Sequence, residues 1–468
     1  MSLGSKVHTI IASLVFALAT APSVCAQRLS TENWNQWNAA STPIYPDENW
    51  QQYATPKEAG WSSEGLKIAQ KYSRFAGSAA VMVIYDGAIL AQWGQVERRF
   101  MCHSIRKSLL SALYGIAVAK GEIDIDETLG SIGIDDDTGL TEIERSARVS
   151  DLLKSRSGVY LPAAYETPSQ KNSRPARGSH DPGTHWYYNN WDFNVLATIY
   201  NKKTRADLIE AFRSNIAEPL MMRDFDPRHA YYHLEPDNSR HPAYPFRMSA
   251  RDLARFGLLF LNDGEWNGTQ IIPSEWVRDS TRSYSKTSVG GYGYMWWTVS
   301  GQLGELGVYA ALGIGGHAIY VVPAARLVFV HRVDTYKRKR VSHESIRLIL
   351  KRILRARIGP PRVDPALIDG PSSPPVEPGT DLTDGQRAAL VGQYRKDDFV
   401  ATVRVIDGRL EVEAPRRGRF YLLPRGPTAF QVEDDGVRVE FQLDGTSKAT
   451  AMLVWFEPGL PYEMLRVP

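Results

Sequence analysis

Residues 104–121 read SIRKSLLSALYGIAVAKG, and this stretch constrains the fold more than any other in the chain. Its apolar residues keep helical spacing along the whole length, and it stops at Gly121, where a C-terminal glycine belongs. A helix this apolar has to be buried, so it is expected at the centre of a layered domain with Ser104 in its first turn.

The flanking segments say what the layers are. Before the helix, AAVMVIYDGAILAQWG (79–94) is two apolar runs around Asp86-Gly87, a hairpin signal. After it, residues 140–260 alternate helical patterns with loops full of Pro, Gly, Asn and His, and SARDLARFGLLFLNDG (249–264) carries a serine cap, helical spacing and a glycine stop. GGYGYMWWTVS (290–300) reads as a strand, and HAIYVVPAARLVFVHRV (317–333) as two strands joined at Pro323 to Arg326. SHESIRLILKRILRAR (342–357) reads as an amphipathic helix that closes the domain. Sheet at both ends with helices between predicts an α+β fold, in which strands distant in sequence must pair.

At 468 residues the chain is too long for one ordinary core. Residues 1–26 place Lys6 before an apolar run that ends at Val24-Cys25-Ala26, the pattern of a secretory signal cleaved after Ala26. An uncleaved N-terminal anchor is the alternative, but the run is short for a span and contains Pro22. The mature chain is then expected to be exported, periplasmic or secreted, with no stable membrane insertion. Cys102 is the cysteine left after cleavage, so no intramolecular disulfide is expected. A formal net charge of +3 gives no electrostatic case for a nucleic-acid partner or an anionic membrane surface.

Residues 27–60 read as an extended arm laid on a main domain that runs from 27 to 358. GPPRVDPALIDGPSSPPVEPGTD (359–381) reads as a semi-rigid linker. Beyond it, in 382–468, turn signals at Asp407-Gly408, Asp435-Gly436 and Asp444-Gly445 separate short alternating runs, which predicts a small antiparallel β-barrel.

Chemistry enters with FMCHSIRKS (100–108). Positions three apart share a helix face, so Ser104 and Lys107 are expected to be neighbours. A lysine can serve as base to a serine when burial and neighbouring positive charge depress the amine's pKa. Arg106 could contribute, but on a helix it points to another face. The spacing alone is weak, since it recurs at Ser283 to Lys286.

The order of FMCHSIRKS, GEIDIDETLG, VSDLLKSRSGV, PGTHWYYNNWDFNVLATI, SARDLARFGLLFLNDGEWNG, YGYMWW and GIGGHAIYVVP resembles the serine hydrolases related to class C β-lactamases, over residues 60–356. That family includes penicillin-binding DD-peptidases, esterases and 6-aminohexanoate-dimer hydrolases. The resemblance implies a β-lactamase/transpeptidase-like domain, an antiparallel sheet flanked by helices plus a helical subdomain. It makes Ser104 the acylated nucleophile, Lys107 its proton partner, and the Ser104 N–H part of an oxyanion hole. The family's Tyr-x-Asn motif falls on Tyr188 and Asn190, with Tyr187 and Asn189 as the other fit; an aromatic packing cluster on a loop is the bland reading of WYYNNW. Tyr188 would relay a proton if Lys107 lowered its pKa, and Asn190 would orient a substrate carbonyl.

Where penicillin-recognising members carry a cation, then Thr or Ser, then Gly, this chain has Ile314-Gly315-Gly316 followed by His317. The resemblance therefore leaves a backbone role to the strand, with the His317 N–H as the second oxyanion donor beside Gly315 and Gly316. A cation to pair with a substrate carboxylate is missing there, unless Arg247 or Arg174 supplies one. His180 and His185 precede Tyr188 and read as loop hydrogen-bonders. The histidines show no zinc spacing, and no cofactor or metal is implied. The C-terminal β domain resembles the lipocalin-like domain of some members, and would cap the site or mediate assembly into an oligomer. The reaction implied is hydrolysis of an ester or amide in a small-molecule or peptide-like substrate. A DD-peptidase or β-lactamase, and a non-catalytic binding or sensor protein on the same fold, are the alternatives.

Overall fold

The computed structural model describes residues 34, 37, 43–371, 380–414, 418–434, 437–455 and 460–468. The expected signal segment, 1–26, lies outside the described residues, as does the turn at Asp435-Gly436. Among the described residues no helix is long and apolar enough to cross a membrane.

The main domain is built on a ten-stranded sheet. It includes the hairpin Ala80–Tyr85 and Ala88–Gly94, whose turn residues Asp86 and Gly87 both have positive φ, the geometry a two-residue hairpin turn requires. Leu327–Arg332 pairs with Ala80–Tyr85 in antiparallel register from Leu327↔Tyr85 to Arg332↔Ala80, so strands from opposite ends of the domain are joined side by side. The sheet is mixed rather than purely antiparallel, because Gln51–Tyr53 runs parallel to Ala88–Gly94 at Gln52↔Ile89.

Each face of the sheet has its own core. On one face lie the helices Ser63–Ala76 and His343–Arg355, capped by the Ser62 and Ser342 hydroxyls. On the other lies the helix Ile105–Ala119, every residue of which from Ile105 to Ala117 is buried. Gly115 in its middle costs helix propensity, but a Cβ there would stand 2.5 Å from Trp276, so the glycine admits that ring. Ala250–Leu261 packs beside it, with Gly257 against Val328 of the sheet.

Two local expectations are corrected. Residues 290–300 form two antiparallel strands, Gly290–Tyr292 and Trp297–Val299, rather than one. Gly293 lies so close to the Ser280 carbonyl that no side chain fits, and Met295 turns at φ 61°, which reverses the chain. Within the segment read as a linker, Leu367–Asp369 is an edge strand paired with Gln51–Tyr53. The edge of Gln51–Tyr53 offers unpaired backbone groups, and the returning chain covers them. The expected arm is anchored by Trp34 and Trp37, which with Trp61 and Tyr85 surround the Arg357 guanidinium.

The C-terminal domain is a closed barrel of eight consecutive antiparallel strands, sealed where Tyr394 pairs with Arg466. Tyr394, Phe430, Phe441, Met452 and Met464 fill its interior. It docks through Arg99, which pairs with Glu433 at 3.3 Å and Asp434 at 2.8 Å, and through Phe420, whose ring lies 4.0 Å from the Arg247 guanidinium.

Candidate active site

The chain reaches Ser104 along a tightly held strand. Phe100–Met101 pairs with Arg247–Met248, the Met101 N–H donates to the Tyr336 hydroxyl at 3.0 Å, and buried Arg332 donates to the Phe100 carbonyl. His103 then turns at φ 49°, a left-handed conformation, and Ser104 caps the central helix with its hydroxyl free of any capping bond. The Ser104 N–H donates to no acceptor among the described residues. It points outward from a helix N-terminus, where backbone dipoles favour negative charge.

One turn on, Lys107 Nζ lies 3.0 Å from Ser104 Oγ and 2.8 Å from the Tyr188 hydroxyl. The amine sits over the rings of Tyr188 and Phe193, at 4.4 and 4.6 Å from their centroids. Burial, with a contribution from the Arg106 charge, pushes the Lys107 pKa well below that of an ordinary lysine. The side chain is therefore biased to the free amine, the form that accepts a proton.

A serine-rich loop sets Tyr188. Ser155 Oγ donates to the Tyr187 carbonyl at 2.6 Å and accepts from the Asn189 N–H at 3.0 Å. Asn189 Nδ2 donates to the Val159 carbonyl and to Asp192, so the peptide on each side of Tyr188 is fixed. The Tyr188 ring stacks on Trp297 at 5.4 Å. Tyr187, the other fit to the motif, instead sends its hydroxyl to the Gln170 carbonyl at 2.8 Å, so the fold selects Tyr188.

The expected electrostatics of Tyr188 are reversed. Its hydroxyl is not acidified by Lys107; burial raises its pKa to about 12, and the Ser104 hydrogen bond and the Arg106 charge only partly oppose this. The two shifts run in opposite directions, the lysine's downward and the phenol's upward, and both have burial as their main cause.

The remaining expected residues are placed as follows. Asn190 starts the helix Asn190–Thr204; its Nδ2 donates to the Tyr165 carbonyl at 2.9 Å, while its buried Oδ1 has no partner among the described residues. Gly315 and Gly316 form the turn that leads into the strand His317–Val322, with His317 opposite Gly313. A Cβ on Gly313 would stand 2.7 Å from the Cys102 carbonyl, which sets this turn against the residues just before Ser104. The His317 ring is buried 5.2 Å from that of His103, and both its nitrogens lack hydrogen-bond partners among the described residues. No hydrogen bond or ring contact joins Gly315, Gly316 or His317 to Ser104, Lys107 or Tyr188 among the described residues.

Other candidates fall away. Arg174 is ion-paired with Glu166, and Arg247 is buried beneath Phe420 with its Nε donating to the Tyr336 hydroxyl. His180 and His185 stack on one another at 3.9 Å, and His180 Nδ1 lies 3.0 Å from the Ser179 hydroxyl. Lys286, in the second serine-lysine spacing, is exposed on an edge strand.

Three residues of the site were not predicted: buried Asp192, Tyr165 held at φ 67° with its ring over the Arg106 guanidinium, and Arg106 itself as a buried group. An arginine inside an otherwise apolar helix run was the one signal available in the sequence.

The family model described as Beta-lactamase matches residues 68–348, more than half of the chain. Solved structures similar to this one include SurE with D-Leu (17% identity, TM-score 0.46, covering 86% of this chain and 99% of that one). A penicillin-binding protein from Bacillus halodurans shows 12% identity and a TM-score of 0.47, over 60% of this chain and 99% of that one. An octameric penicillin-binding protein homologue from Pyrococcus abyssi shows 14% identity and a TM-score of 0.42, over 86% of this chain and 99% of that one. A search of curated proteins gives no match. With its lysine in contact with both serine and tyrosine and the family match spanning residues 68–348, the chain belongs to the Beta-lactamase family.

Proposed function

We propose that the protein is an exported serine hydrolase that cleaves an ester or amide through an acyl-Ser104 intermediate. The observation that carries this reading is the buried Lys107 amine shared between two hydroxyls, 3.0 Å from Ser104 Oγ and 2.8 Å from Tyr188.

The free amine of Lys107 takes the Ser104 proton as Oγ bonds to the substrate's carbonyl carbon and the carbonyl electron pair moves to oxygen. The Ser104 N–H, at the helix N-terminus, receives that oxyanion, with the His317 N–H as the second donor. On collapse the bond to the leaving group breaks. Tyr188 gives its proton to the departing atom and is reprotonated by Lys107. Water then attacks the acyl-enzyme along the same path in reverse, which releases the acid and restores the Ser104 hydroxyl. Asn190 orients the substrate's acyl portion.

The absence of a cation at Ile314, and the pairing of Arg174 with Glu166, favour a substrate whose flank is uncharged over a β-lactam or a D-alanyl terminus. Export rests on residues 1–26, and a mature chain beginning at Gln27 outside the cytoplasm tests it.

The decisive experiment follows p-nitrophenyl acetate and butyrate with the wild-type chain and Ser104→Ala. A pre-steady-state burst with an acyl adduct on Ser104, both lost in the variant, is the expected result. Absence of any adduct favours a binding role for the same fold, whereas labelling by a fluorescent penicillin transfers the reading to the penicillin-recognising members.

A further inference from the structure

Arg106 is the feature of the site that the mechanism above leaves unused. Its side chain is 1% exposed, yet no carboxylate pairs with it among the described residues. The guanidinium lies between the rings of Tyr165 and Tyr244, at 5.5 and 4.8 Å from their centroids. Its nearest hydrogen-bond partner is Asn194 Oδ1, at 3.5 Å, and its buried Nε has no acceptor. A buried charge without a counter-ion is costly, and an aliphatic side chain would fill the same space more favourably.

We propose that Arg106 is a positioning residue for catalysis, a permanent buried charge beside Lys107 that keeps the lysine amine unprotonated and its lone pair available to Ser104. The inference rests on the acyl-serine reading above. Two cations on adjacent residues in a dry site cannot both be retained at low cost. An arginine does not give up its proton, so the lysine must.

The surrounding groups leave that charge unopposed. On the central helix side, burial and nearby cations hold His103 down at about 3, hence neutral. From the loops and the sheet, Tyr165, Tyr188, Tyr244 and Tyr292 are all raised by burial and stay protonated. On the helix of Asn194, Asp192 is pushed up by burial towards its neutral acid and is turned to Ser157 and Asn189. Arg106 is thus the charged neighbour that Lys107 feels, and the second cause, after burial, of its depressed pKa.

The test is the pH dependence of p-nitrophenyl acetate acylation in wild type, Arg106→Gln and Asn194→Asp. The second variant leaves the guanidinium in place and sets a carboxylate against it. Wild type should lose activity on the acid side with a midpoint well below an ordinary lysine's. Both variants should move that midpoint upward by about one pH unit or more, a tenfold loss on the acid side, and recover to within about threefold of wild type once the medium is alkaline enough to deprotonate Lys107. A uniform loss at every pH with an unmoved midpoint assigns Arg106 a packing role and overturns the proposal. A wild-type midpoint near that of free lysine overturns it without any variant having to fold. Failure of wild type to acylate Ser104 at any pH overturns instead the reading on which it rests.

Discussion

Ser157 donates a 2.5 Å hydrogen bond to Asp192 Oδ1, which also accepts from Asn189 Nδ2 at 2.8 Å, and this contact ties the SRSG loop to the helix that follows Tyr188. Burial pushes the Asp192 carboxyl well above the usual range. A group with a raised folded pKa contributes stability that is present below its unfolded value and lost as pH rises through the folded one. Asp192→Asn keeps the accepting oxygen and removes the titration. It should remain within about 1 kcal/mol of wild type near neutral pH and lose the pH dependence, whereas Asp192→Ala strands two donors and should cost about 1–3 kcal/mol. Urea unfolding across pH measures both, and a large loss in the asparagine variant would mean the carboxylate is ionised.

Lys107 sets catalysis against stability. Its pKa is depressed in the fold, so between that value and the unfolded value the unfolded chain binds the extra proton, and stability rises with pH. Lys107→Met should abolish acylation, by roughly 10²–10⁴-fold for a lost base. It should also raise the melting temperature near neutral pH, with the gap to wild type narrowing towards alkaline pH. Calorimetry beside burst kinetics checks the pair of effects, and an unchanged melting temperature would contradict the burial argument.

Tyr188→Phe retains the ring against Trp297 and Phe193 and removes only the hydroxyl. Burial raises the phenol to about 12, and in the proposed mechanism it protonates the leaving group rather than deprotonating Ser104. The variant should cost little with p-nitrophenyl esters, whose leaving group needs no proton, and about 10²-fold or more with an alkyl ester or amide of the same acyl group. Equal losses on both substrates would assign the tyrosine to deprotonation of the serine.

The turn before His317 tolerates no side chain. Gly315 and Gly316 have φ of 86° and 106°, and a Cβ would strike Thr335 Cγ2 in the first case and the Val341 carbonyl in the second. Alanine at either should cost about 1–3 kcal/mol from backbone strain alone. Gly316→Ala should be the worse, since a side-chain methyl can yield where a backbone carbonyl cannot. Thermal melts rank the two, and slower acylation by Gly315→Ala than by wild type would tie this turn to the oxyanion.

Local pattern determined much of this protein. Helical apolar spacing from Ser104 to Gly121 placed the serine and lysine on one face, the Asp86-Gly87 turn marked the central hairpin, and regular turn signals after residue 382 marked the barrel. These properties are set within a few residues by backbone geometry and the side chains that flank it, so they can be read in one dimension.

The tertiary structure alone decided which tyrosine faces the amine, because Tyr187 and Tyr188 differ only in what the Ser155 loop and Gln170 hold. It also decided that Tyr188 is raised rather than lowered, that Leu367–Asp369 joins the sheet edge, and that Arg106 is buried with no counter-ion among the described residues. Each depends on desolvation and charge summed over groups from distant segments, and a pKa or an edge pairing exists only once those segments have packed.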